Sequence, residues 1–191
     1  MKVNKKATLL ILALVLILSI LSAIFANRVG DTSNTENHIE KTIEKDNTGV
    51  EYGLNKGNAL PNFNLTNMKK DKVITAESLK GKKTILFFWA SWCPYCKNTM
   101  TELDKVIKEN KDVQVVAINA TDVENNNEGY DYVKKNKHSF DSYVLKEEEL
   151  KVFSINNFPT SIFIDSEGVI QEGVSGALTK EIINSQLKEM K

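Results

Sequence analysis

An α/β sandwich, strands alternating with helices around a central sheet, is what this sequence predicts. Three observations carry that expectation. The run KTILFFWA, residues 83–90, is apolar after its first residues, as a strand buried on both faces must be. Beyond it Met100, Leu103, Val106 and Ile107 recur at helical spacing. DVQVVAINA, residues 112–120, then repeats the buried-strand signal. At 191 residues the chain can build one substantial core but hardly two.

The N-terminus precedes that core. Lys2, Lys5 and Lys6 stand before an uncharged apolar run from Ala7 to Ala26. At 1.5 Å rise per residue the run spans roughly 30 Å, the hydrocarbon thickness of a bilayer. A cleaved signal peptide is the competing reading, with Ile24-Phe25-Ala26 as its exit, but such apolar regions are usually about 7–15 residues long. Residues 1–26 are therefore expected to form a retained anchor. No cysteine follows the run, which excludes lipidation there. The lysines before it place the N-terminus in the cytoplasm and the rest of the chain outside. Residues 27–57 are polar and cannot bury enough surface to offset their ordering entropy, so they read as a tether.

The folded domain is expected over 58–191. ALPNFNLTNMKKDKVITAESLKGK reads as two short strands around a polar turn, and KTILFFWA as the first central strand. Pro94 suits the first position of the helix that carries Met100 to Ile107. EGYDYVKKNKHSF, 128–140, predicts a helix turning Tyr130, Val133 and Phe140 inward. ENNNEG before it is a polar turn without the alternating ligands of a calcium loop. SYVL predicts a short strand, and Glu147–Glu149 the solvated start of a helical turn. TSIFIDSEGVIQEGV reads as a hairpin turning at Ser166-Glu167-Gly168. LTKEIINSQLKEM closes as an amphipathic helix with Thr179 as N-cap.

Lys plus Arg and Asp plus Glu number 25 each, so nothing supplies the basic surface that nucleic acid requires. The chemistry is concentrated in FFWASWCPYCKNTM, 87–100, which holds both of its cysteines. Structural zinc needs four ligands, and apart from Cys93 and Cys96 the chain offers only His38 in the tether and His138, read as a surface histidine. A purely structural disulfide would close a four-residue loop and stabilise little. Redox chemistry fits best. A helix starting at Pro94 directs free N–H groups and its positive dipole end at Cys93, favouring the thiolate that attacks disulfides. Cys96 lies one turn inside, positioned to resolve the resulting mixed disulfide, and Pro94 stiffens the turn.

With these residues in view, 58–191 resemble the thioredoxin superfamily, and within it the membrane-anchored TlpA/ResA-like thiol-disulfide oxidoreductases. GNALPNFNL, GKKTILFFWASWCPYCKNTM, VVAINA and FPTSIFIDSEGVI carry the resemblance. It implies a thioredoxin fold with an N-terminal β extension and an inserted αβ element at about 124–147. It also implies a redox-active Cys93–Cys96 disulfide supported by Trp92, Tyr95 and a cis Pro159. The Phe158 backbone would be left to pair with an extended substrate. Two departures stand out. Phe87 occupies the place of the buried carboxylate six residues before the first cysteine, and Thr99 that of the ResA-type glutamate three residues after the second. Glu102, one turn on, is a substitute candidate.

The function expected is reduction of protein disulfides outside the membrane, without metal or cofactor. An apocytochrome or another exported protein would be the substrate, and a membrane donor of the CcdA/DsbD kind would supply electrons. A thiol peroxidase on the same fold, an oxidising disulfide donor, and a binding module with a fixed disulfide are the alternatives.

Overall fold

The computed structural model describes residues 54–120, 128–145, 153 and 155–190. The apolar run 7–26, the tether through 53, most of the 124–129 turn and Glu147–Glu149 lie outside the described residues.

An antiparallel hairpin comes first, β1 (Asn64–Thr66) paired with β2 (Val73–Thr75). Its turn is organised by buried Asn67, whose Oδ1 accepts from the N–H groups of Asp71 (3.1 Å) and Lys72 (3.2 Å). A bridge from Asn67 to Tyr143 ties the hairpin to the main sheet. A single 3-10 turn, Glu77–Leu79, leads into β3 (Lys83–Trp89), α1 (Pro94–Glu109), β4 (Val113–Ala120), α2 (Glu128–Asn136) and β5 (Ser142–Leu145). After Phe153 come β6 (Thr160–Ile164), β7 (Ile170–Ser175) and α3 (Lys180–Glu189).

The five-stranded sheet runs β5-β4-β3-β6-β7. β3 pairs parallel with β4 and antiparallel with β6, so the sheet is mixed and β3 sits at its centre. That position explains the unbroken apolar run: β3 is covered on both faces, and Ile85 through Trp89 are all fully buried. Alternate residues feed different layers. Ile85, Phe87 and Trp89 join Cys96, Met100, Leu103 and Val106 of α1 and Ile183 and Leu187 of α3. Leu86 and Phe88 face the other way, onto Leu60, Phe63, Leu65 and Ile74 of the N-terminal extension and onto Phe153. Phe153 lies in a helical position, its ring 5.5 Å from Phe63 and 5.1 Å from Phe88. This is the thioredoxin fold with its β extension.

Two expectations are corrected. The helix read over 128–140 stops at Asn136, because Lys137 turns left-handed (φ 49°) and its N–H closes onto the Val133 carbonyl at 3.2 Å. Asp104 of α1 then captures the Ser139 N–H at 2.6 Å, drawing the chain out of helical register. His138 is half-buried, not a plain surface residue; its ring stacks on Phe140 at 5.2 Å, and burial lowers its pKa.

The β6–β7 turn is built around Asp165, 2% exposed. Its carboxylate accepts from the N–H groups of Glu167 (2.9 Å) and Val169 (3.0 Å) and from Gln171 Nε2 (2.6 Å), while Gly168 takes φ +87°. Hydrogen bonds to charged groups contribute about 1.5–3 kcal/mol, so Asp165→Ala is expected to lower stability by about 2–3 kcal/mol. The measurement is a lower urea midpoint at unchanged slope.

Candidate active site

Strand β3 ends at Trp89, and the chain turns through Ala90, Ser91 and Trp92 into α1. The Cys93 N–H returns to the Ala90 carbonyl at 3.2 Å, which holds the turn tight. Cys93 is the N-cap, with extended backbone (φ −88°, ψ 106°) and Pro94 next to it, where a missing N–H costs nothing. The cap acceptor is Cys93 Sγ itself, which accepts the Cys96 N–H at 3.1 Å. The sulfur thus takes the place that a serine or aspartate oxygen fills in other helices.

The two cysteines are disulfide-bonded, with Cα atoms 5.3 Å apart. Both belong to the buried layer under α1, and Cys96 is wholly enclosed. Around them the surface is aromatic. Trp92 is 56% and Tyr95 65% exposed, unusual for such large rings. Trp92 meets half-buried Phe158 edge-on at 6.1 Å. The Phe158–Pro159 peptide bond is cis, as expected, and Pro159 is buried with its carbonyl accepting from Gly176 N–H at 2.8 Å. The structure therefore brings Trp92, Cys93, Pro94, Tyr95, Cys96, Phe158 and Pro159 to one end of the sheet.

Behind the sulfurs the surroundings are buried and carry no charged side chain among the paired strand residues. Phe87 is fully buried, with Ala117 beside it on β4 and Ser161 on β6. Thr99 is also buried, but its hydroxyl accepts the Leu178 N–H at 3.1 Å and so fastens α1 to the approach of α3. Glu102 pairs with Lys105 at 2.7 Å. None of the three positions considered for a proton-handling acid supplies a free carboxylate to Cys96.

Sequence reasoning missed the wall on the other side of the loop. Tyr132 of α2 packs on Trp89 at 5.3 Å, and Lys97 Nζ lies 5.5 Å over its ring. Ser91 Oγ donates to Glu128 Oε2 at 3.1 Å. Burial raises the Tyr132 pKa, keeping the phenol neutral. These contacts join residues 35 to 43 positions apart, and no local pattern announces them.

A mixed sheet with a disulfide across the first turn of a helix, beside a cis-proline, defines a thioredoxin-fold thiol-disulfide oxidoreductase. The sequence profile of the AhpC/TSA family matches residues 56–172, and the chain belongs to that family. It is 32% identical over 146 residues to the thioredoxin-like protein YneN of Bacillus subtilis, covering 72% of this chain and 81% of that one. It is 30% identical over 139 residues to the thiol-disulfide oxidoreductase ResA of Bacillus anthracis, covering 70% and 78%. Among solved structures, StoA from Bacillus subtilis superposes with a TM-score of 0.58 at 29% identity, over 66% of this chain and 96% of that one. A Chlorobium tepidum protein described as a DsbE gives a TM-score of 0.64 at 24% identity, over 71% and 97%, a likeness of fold. The resemblance read from the residues is thus matched by relatives across the same domain.

Because the α1 dipole and the Cys96 N–H both act on Cys93 Sγ, Cys93 is expected to hold the lower thiol pKa in the reduced protein. Brief iodoacetamide treatment followed by peptide mapping should find it on Cys93 before Cys96. Prior labelling of Cys96 would reverse the assignment.

Proposed function

We propose that this chain reduces protein disulfides outside the cytoplasmic membrane, with Cys93 as nucleophile and Cys96 as resolving thiol. The observation that carries the reading is the placement of the pair: Cys93 Sγ caps α1 and accepts a backbone N–H, while Cys96 is enclosed one turn in. In the reduced protein the Cys93 thiolate attacks one sulfur of a substrate disulfide, and the other sulfur leaves as a thiolate. Cys96 then attacks Cys93 Sγ, the mixed disulfide breaks, and the second substrate thiol departs. Two electrons pass to the substrate, and the disulfide left behind awaits a membrane donor of the CcdA/DsbD kind. Trp92, Tyr95 and the Phe158–Pro159 turn line the approach, where the Phe158 backbone pairs with an extended segment. The cysteine pair of an apocytochrome or of another exported protein is the substrate class.

Charge bears on the direction. The helix end favours the thiolate and hence oxidising behaviour. Phe87 and Ala117 add no charge, and Lys97 is held over Tyr132. The scarcity of further help for the thiolate, together with the ResA-like resemblance, supports a reductase with a potential of about −200 to −280 mV. A peroxidase fits less well, because Cys93 is bonded to a partner three residues on. Location rests on the sequence: residues 7–26 are long and apolar enough to anchor, and among the described residues no helix is.

Cys96→Ser should accumulate a mixed disulfide on Cys93 that mass spectrometry identifies, and equilibration of the wild-type chain with glutathione should give the potential above. A value more oxidising than about −150 mV would make the protein a disulfide donor. The full-length protein should stay with membranes through carbonate extraction; a soluble product beginning near Asn27 would overturn the anchor.

A further inference from the structure

Cys96 has a chemical problem. To resolve a mixed disulfide it must become a thiolate, yet it is fully buried in an apolar layer, and burial penalises the charged form. Phe87 and Thr99 carry no acid, the Thr99 hydroxyl oxygen accepting the Leu178 N–H, and Glu102 is paired with Lys105.

The sheet register supplies another group. β6 alternates: Ile162 and Ile164 enter the layer under the N-terminal extension, whereas Phe163 enters the layer of Cys96. Ser161 therefore shares the face of Phe163. It stands directly across from Phe87 and two residues beyond Pro159. The serine is fully buried, and its Oγ has no hydrogen-bond partner among the described residues. A buried hydroxyl left unsatisfied is destabilising, so an orphan of this kind calls for a reason. Trp89 Nε1, in the same layer, also has no hydrogen-bond partner among the described residues, and its ring packs on Tyr132 of α2.

We propose that Ser161 is the hydrogen-bond donor that stabilises the Cys96 thiolate during resolution. The assignment rests on Cys96 as the resolving thiol. In the disulfide form neither sulfur carries charge, which leaves the hydroxyl without a strong acceptor. When Cys93 is joined to substrate, the Cys96 proton passes to solvent and the sulfur gains a full negative charge for Ser161 to bind. Cys96 Sγ then attacks Cys93 Sγ: the Cys93–substrate bond breaks, the Cys93–Cys96 bond forms, and the departing substrate thiolate takes up a proton. Ser161 keeps its own proton throughout.

The test uses the full chain with Cys93→Ser, so that Cys96 is the single thiol, and follows iodoacetamide alkylation against pH. Adding Ser161→Ala should raise the Cys96 pKa by about one unit, a roughly tenfold loss of thiolate below the pKa. Ser161→Thr, which keeps the hydroxyl, should restore the profile. In the Cys96→Ser background Ser161→Ala should leave the Cys93 profile in place. In the otherwise wild-type chain it should slow resolution of a glutathione mixed disulfide about tenfold at pH 7, without lowering the melting temperature of the oxidised protein. An unchanged Cys96 profile, or equal shifts of both thiols, would overturn the role of Ser161. Should the alanine variant fold poorly, Ser161→Thr against Ser161→Val, alike in shape, gives the same comparison. Wrong thiol roles would appear separately, as substrate trapped on Cys96, with the alkylation result unaffected.

Discussion

The antiparallel pairing of β3 with β6 is the constraint from which the site follows. Its last pair joins Phe88 to Thr160, and one step beyond, the two chains diverge into the cysteine turn and the cis-proline turn. Each turn has bonds of its own, the Cys93 N–H to the Ala90 carbonyl and the Thr160 hydroxyl to the Asn157 carbonyl, but these do not aim it. Each is aimed by a strand whose hydrogen bonds and buried side chains are already in place, so the sulfurs and Pro159 keep their relation as long as the ladder holds. Losing the apolar character of β3 would therefore damage catalysis through the sheet before it touched a reacting atom.

The same arrangement divides two kinds of electrostatics. At the front, Cys93 takes the backbone N–H and dipole of α1, which require no charged side chain. At the back, Phe87 and Ala117 are fully buried and bring no charge. A fold that usually tunes its inner thiol with a carboxylate here leaves that thiol to neutral neighbours.

Much of this was legible in the residues because its signals are local. The apolar run of β3, the helical spacing from Met100 to Val106, Pro94 at the first turn and the Ser-Glu-Gly turn of the last hairpin each act over a few positions. The cysteine pair was legible for the same reason. What escaped depends on distant partners. The end of α2 is decided by Lys137 and by the capture of Ser139 by Asp104, 35 residues away. The stacking of His138 on Phe140 is visible only once that turn exists. Tyr132 reads as an ordinary helical tyrosine until the fold sets it on Trp89. Ser161 sits in a strand whose pattern says buried, and only the register against Phe87 says beside what.

Helix α2 meets the start of α1 and its approach through side-chain contacts: Tyr132 on Trp89 and under Lys97, and Glu128 holding Ser91. It shares no ladder with β3 and contributes no atom to the sulfur exchange. Residues 128–136 can therefore drift in evolution, reshaping one flank of the opening beside Cys93, while the electron-carrying apparatus stays as it is. Relatives that exchange electrons by the same route but serve different clients would then differ first along this helix.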